Sequence, residues 1–221
     1  MILACFLFCT NDAVAQKKIT QGKAIFNITF PESEFDQQTL ATMPSESVTY
    51  FKDQHSRDEM KIAMGTTVTI TDGKTGEMIS LMDMMGNKIA MKFTRGDQER
   101  SSLKSGNQKH EMKITGETKM IAGFKCKKAL MKFNDAHNGE INSEVWYTNE
   151  ISAPNSFGSG AMNLDGIDGF LMEYNTKMKS MTMKMICRSV EETIVPDTLF
   201  IIPPGYTLTT MDELMKMDGM H

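Results

Sequence analysis

The segment 117–147, ETKMIAGFKCKKALMKFNDAHNGEINSEVWY, restricts the fold more than any other part of the chain. Ala129, Met131 and Phe133 recur at alternate positions before the turn-rich NDAHNGE, and Ile141, Val145 and Tyr147 recur after it. A period of two on both arms predicts an antiparallel hairpin, strands over 124–133 and 141–147, with one dry face and one wet face. Two strands alone are marginal in water, so a hairpin of this kind needs further strands beside it.

The rest of the chain supplies them. Segment 23–30 (KAIFNITF) sets Ala24, Phe26, Ile28 and Phe30 on one face. Segment 31–44 breaks the alternation; 36–43 reads as a short helix that Pro44 stops. Strands are then expected at 48–52, 59–64, 67–71, 77–82 and 88–93, with turns at Asp72-Gly73-Lys74 and Met85-Gly86-Asn87. Segment 95–107 is charged and irregular, a helical turn or a loop. Strands at 111–115 and 119–122 lead into the hairpin, and others follow at 170–174 and 179–190, after which the chain runs through 198–202 to a Pro203-Pro204-Gly205 turn. Between them, 150–168 carries Pro154, Gly158, Gly160 and Gly166, and a connection that long is often a binding loop or lid. Segment 211–217 reads as a short terminal helix.

About eleven strands joined by short turns, with no crossover helices, describe an antiparallel meander. Such a sheet closes into a barrel, stacks as a sandwich, or curls round an inserted element. The apolar helical residues on offer, Leu40 and Met43 with Met162 and Leu164, suit the third solution. The fold expected is therefore mainly β with minor α: a large curled sheet, an open half-barrel with a short helix or flap in its concave face.

The length of 221 residues fits a single β-rich domain over 16–221, with a core at 22–210 and a methionine-rich tail at 211–221. Residues 1–15 resemble a secretory signal: an apolar run at 2–8, then Ala13-Val14-Ala15 as a cleavage motif that would expose Gln16. Lipid attachment at Cys5 is the less favoured alternative. Either reading implies export across the inner membrane, and no other segment is long and apolar enough to span a membrane as a helix. The net charge of −4 argues against nucleic acid, and Lys88, Lys92, Lys128 and Lys132 alternate with apolar residues as a solvated sheet face does.

Cys126 and Cys187 remain after signal removal, both in expected strands. Export permits a disulfide between them, worth ~4 kcal/mol in the chain-entropy model; two buried free thiols are the competing state. His55, His110, His137 and His221 are scattered, with no partner at metal-ligand spacing and no nucleophile beside them. No G-x-S-x-G or P-loop spacing occurs, and Asn163, Asp165 and Asp168 in a Gly-rich loop read as turn chemistry before calcium ligation. Enzymatic activity and a cofactor are not expected.

The sequence TKMIAGFKCKKA at 118–129, VWYT at 145–148 and LFIIPPGY at 199–206 resemble an exported envelope family catalogued as a domain of unknown function, number four-four-one-two. That family is similar in architecture to the LolA/LolB lipoprotein carriers, open half-barrels with a hydrophobic cavity under a helical lid. The resemblance implies a LolA-like curled sheet in the periplasm of a Bacteroidota-like organism. It carries over no catalytic residue, since shared fold is not shared function.

Alternation and resemblance together make a binding module the leading expectation, its ligand an apolar small molecule, a lipid or a lipoprotein segment. Phe26, Ile28, Phe30, Met91, Phe93, Met131, Phe133, Trp146, Met181, Met183 and Met185 are the expected cavity lining. The 22 methionines leave another reading open, because thioethers select Cu(I). Its residues are Met82, Met84 and Met85, and in the tail Met211, Met215, Met217 and Met220 with His221. A structural envelope protein without a ligand is the third. The sequence leaves the oligomeric state open.

Overall fold

In the computed structural model, the residues described are 17–63, 65–84, 86–104, 111–135, 139–154, 167, 169–177, 181–210 and 213, without the side chains of 84, 101–104, 133–135 and 139. The first meander comprises β1 (Gln21–Thr29), β2 (Glu46–Lys52), β3 (His55–Ile62), β4 (Gly65–Asp72), β5 (Glu77–Met84) and β6 (Asn87–Phe93). The second comprises β7 (Glu111–Ile121), β8 (Phe124–Asp135), β9 (Gly139–Thr148), β10 (Phe170–Lys177) and β11 (Thr182–Glu191). All join with β12 (Thr207–Thr210) in one 12-stranded sheet, ordered β12-β6-β5-β4-β3-β2-β1-β11-β10-β9-β8-β7. The expected curled antiparallel sheet is present. The two meanders run toward each other, and the first strand meets the eleventh at the centre.

Two local readings are corrected and one strand is added. The segments 111–115 and 119–122 are one strand, β7, whose register slips between Ile114 and Thr118 around Gly116. A bulge puts both halves out of phase, which is why the alternation breaks there. The run through 198–202, read without an element of its own, contains a 3-10 turn at Asp197–Phe200, and a strand not expected from sequence follows it, β12 pairing parallel to β6. Helix α1 (Gln37–Leu40) has one turn and no buried residue, so it does not plug the sheet; Met162 and Leu164 lie outside the described residues.

Turn chemistry fixes the registers. Ala122 and Gly123 both have positive φ (48° and 87°), the pairing a two-residue I′ hairpin needs between β7 and β8. Helix α2 (Arg95–Lys104) opens on a capping box: the Thr94 amide and hydroxyl donate to Asp97 Oδ2, and the Asp97 amide donates to Thr94 Oγ1.

The curl follows from side-chain contacts. Phe51 on β2 meets Phe170 on β10 at 5.5 Å between ring centroids, and Phe26 on β1 meets the same ring at 6.1 Å. Three strand steps in a flat sheet would separate β2 from β10 by ~14 Å. Those rings meet only if the sheet bends toward the face that carries Phe26 and Phe51, which is therefore the interior. There Ala24, Phe26, Ile28, Phe51, Ala129, Met131, Val145, Tyr174, Met185 and Cys187 pack into one core cluster.

The outer face of the first meander is sealed differently. Val68, Ile70, Leu81 and Ala90 form a second cluster, covered by Phe200, Ile202 and Tyr206. Arg57 donates to the Leu199 carbonyl at 3.0 Å, Lys52 pairs with Asp197 at 2.6 Å, and the His55 and Phe200 rings lie 5.5 Å apart. The segment after β11 thus straps the outside of β3–β6 before β12 joins β6.

Candidate functional site

Register places residues on the interior wall of the first meander in three rows, because directly paired residues share a face. The first row is Phe51–Ser56–Thr71–Met78–Phe93. The second is Thr49–Asp58–Thr69–Ser80–Met91, and the third is Ser47–Met60–Thr67–Met82–Ile89. The rows change character along their length. Near β2 they are closed: Phe51 and Ser56 are fully buried, and Thr49, Thr69 and Ser80 nearly so. Toward β6 they open: Met82, Ile89, Met91 and Phe93 stay partly exposed, as does Met60 on β3. Thr71 Oγ1 is buried on this wall and finds no hydrogen-bond partner among the described residues.

The expected lining residues therefore divide. Met91 and Phe93 lie on the partly open wall. Phe26, Ile28, Met131 and Met185 are buried in the core cluster, with Phe30 and Met183 packed against it, so these fill the interior with protein. Met181 precedes β11 and is partly exposed. The Phe133 side chain lies outside the described residues, though its backbone pairs with Ile141. Trp146 is on the other face, paired with Lys128 and Glu173. Lys119 Nζ stands 4.1 Å from its ring centroid and Lys128 Nζ 5.6 Å, while its indole N–H donates to Glu144. The alternation of 141–147 put Val145 inside and Trp146 on the opposite face, where the ring is nonetheless buried in the core cluster beneath Lys119 and Lys128. Met60, Met82 and Ile89 are wall residues that a register count from the Gly73 and Gly86 turns could have found.

The cysteines are free thiols, both buried, and not the disulfide considered from sequence. Each S–H turns to a backbone carbonyl, Cys126 to Phe124 at 3.5 Å and Cys187 to Ser189 at 3.4 Å. Burial pushes the Cys126 thiol up to about 11 and the Cys187 thiol up to about 12. Thiols held in this protonated state are poor nucleophiles at neutral pH. Met84 and Met85 have no described side chain, and Met211, Met215, Met217, Met220 and His221 lie outside the described residues, as do Asn163, Asp165 and Asp168. Among the described residues no three His, Cys, Asp or Glu side chains converge on a point.

A second concavity, of about 790 Å³, lies on the outer face of β7–β11. One transverse row along it is Lys113–Leu130–Glu144–Asn175–Lys184. A parallel row adds Glu111, Lys132, Asn142, Lys177 and Thr182, and Glu32 stands at one end. Burial alone would raise the Glu144 carboxyl, but Lys128 and the Trp146 N–H outweigh it and hold it below the usual carboxylate range. The Asn175 Oδ1 is buried without a partner among the described residues.

A family of domains described as of unknown function, DUF4412, matches residues 37–206. The chain belongs to the DUF4412 family. No curated protein matches it. Among solved structures, PNGF-II in a C2 crystal form aligns at a TM-score of 0.56 with 18% identity, over 90% of this chain and 32% of that one. The same protein in a P21 form gives 0.55, 16%, 90% and 33%. The DUF4412 chain thus spans about a third of PNGF-II, and the likeness is one of fold. A β-barrel-like DUF1849 protein from Brucella abortus aligns over 80% of this chain and 100% of its own at 6% identity, with a TM-score of only 0.39.

Proposed function

We propose that this DUF4412 protein is an exported, non-catalytic binding module of the periplasm that holds a lipid-like or otherwise apolar ligand against the interior wall of β3–β6. One observation carries the reading. The interior is packed with its own side chains on the β1, β2 and β8–β11 side, with Met60 of β3 packed against them, yet Met82, Ile89, Met91 and Phe93 remain partly exposed on the wall of β5 and β6. Flexible thioethers beside one aromatic ring adapt to irregular apolar surface, the property a carrier of variable chains requires. The outer strap over Val68 and Leu81 holds the wall rigid from behind. The signal-like segment at 1–15 supports export.

The test is titration with the fluorescent apolar probe N-phenyl-1-naphthylamine. Saturable binding is expected, weakened at least several-fold by Met91→Asn with Phe93→Asn at unchanged circular dichroism. Absence of saturable binding, or indifference to the double substitution, contradicts the assignment.

A further inference from the structure

The outer groove is chemically unlike the interior wall and independent of it. Its rows cross β7, β8, β9, β10 and β11, four strand spacings, so the rows extend for roughly 19 Å. Although the chain as a whole is acidic, with 28 Asp and Glu against 24 Lys and Arg, lysines stand at both ends of this groove. Lys132 is already held by Glu140 at 2.7 Å, but the other three are loosely committed: Lys113 has no ion pair among the described residues, Lys177 reaches Glu32 only at 4.0 Å, and Lys184 reaches Glu173 at 3.7 Å. Of the three lining carboxylates, Glu144 already receives Lys128 at 3.0 Å and the Trp146 N–H, Glu111 lies beside Lys132, and Glu32 stands 4.0 Å from Lys177. Leu130, 40% exposed, provides one apolar foothold between them. The Asn175 amide is the remaining sign. A buried amide oxygen without a partner is rare in a folded protein and points to a group that arrives from outside.

We propose that this groove binds an extended acidic peptide segment. At ~3.3 Å per residue, a strand of about six residues spans the rows. Its carboxylates meet Lys113, Lys177 and Lys184, one apolar side chain rests on Leu130, and a peptide group satisfies Asn175. A primary amide and a peptide group each offer a donor and an acceptor, so the match holds for either orientation of the Asn175 side chain. The occupant lies on the face opposite to the apolar ligand's wall, and the two sites fill separately.

Fluorescence anisotropy with a fluorescein-labelled hexapeptide of alternating aspartate and leucine tests this on the full chain. The acidic peptide is expected to bind at least tenfold more tightly than its lysine–leucine counterpart and to weaken as salt is added. Lys113→Glu with Lys177→Glu should cost a further tenfold or more, and Asn175→Leu several-fold, with thermal melts and naphthylamine binding unchanged. Equal binding of the basic peptide, no saturable binding, or indifference to these substitutions overturns the proposal. So does displacement of the peptide by trigalacturonate at similar concentration, which would assign the groove to anionic glycans. Since naphthylamine reports the interior wall in the same samples, failure of one site is distinguishable from failure of the other.

Discussion

Phe51→Ala should be among the most damaging single substitutions in the chain. The ring is fully buried, and its contact with Phe170 at 5.5 Å holds β2 against β10 across the two central strands. Removing it deletes a large apolar group and leaves a void that the neighbouring strands, tied by hydrogen bonds, cannot collapse to fill. Truncations of this kind cost ~3–5 kcal/mol, a large part of the ~5–15 kcal/mol by which domains are stable. For a domain of this length each kcal/mol shifts Tm by about 2–4 °C, so a fall of roughly 6–20 °C is expected. Urea and thermal unfolding followed by circular dichroism, with Trp146 emission as a second probe, measure it. The curl itself is tested by a double-mutant cycle of Phe51→Leu and Phe170→Leu. Rings in contact should give a coupling of about 1 kcal/mol, whereas independent sites add to within ~0.5 kcal/mol. An additive cycle, or a Phe51→Ala cost under ~1 kcal/mol against the range above, would refute closure of the interior through these rings.

The thiols make a second prediction. With Cys126 raised to about 11 and Cys187 to about 12, only about a thousandth of the former is thiolate at pH 8. An alkylating reagent should therefore leave both unmodified in the native protein and label both in denaturant. Rapid native labelling, or a two-dalton deficit marking a bridge, would contradict two buried free thiols. The cap of α2 gives a pH dependence. The Thr94 hydroxyl and amide, with Arg100, lower Asp97 from its ordinary 3.8 to about 2. A depressed carboxylate stabilises the fold above its unfolded pKa, so this contribution is complete above pH ~4 and fades as pH falls toward 2. Asp97→Asn should flatten that part of the stability profile, and Thr94→Ala should cost about 1 kcal/mol; identical acid profiles for wild type and Asp97→Asn would refute it. Gly22→Ala drives a methyl into the Glu191 carbonyl and within 3.0 Å of Phe51, so it should destabilise the β1–β11 seam. A melt equal to wild type would show that the seam yields.

Most strands were legible because a sheet with one packed face writes its phase into alternate residues, as Phe26, Ile28, Met131 and Val145 do. What escaped was non-local. Bulges shift phase without a strong residue signature, which split β7 in two. The parallel pairing of β12 with β6 brings together residues more than a hundred positions apart, and no local pattern in TLTT announces it. The site was legible only in part for the same reason. Alternation identifies the inward face but not which inward residues are buried by other protein, so Phe26 and Met131, which fill the core, looked no different from Met91 and Phe93. The outer groove was invisible because it is made of lysines, glutamates and an asparagine whose spacing acquires meaning only once five strands lie side by side.

The central claim is that the wall of Met82, Ile89, Met91 and Phe93 carries an apolar ligand. Native mass spectrometry of the protein purified from a periplasm, without detergent or delipidation, addresses it most directly. The account predicts an adduct of lipid mass that vanishes on organic extraction and is depleted in the Met91→Asn, Phe93→Asn variant. A clean apo mass in both proteins, with no uptake of lipid added back, would contradict it.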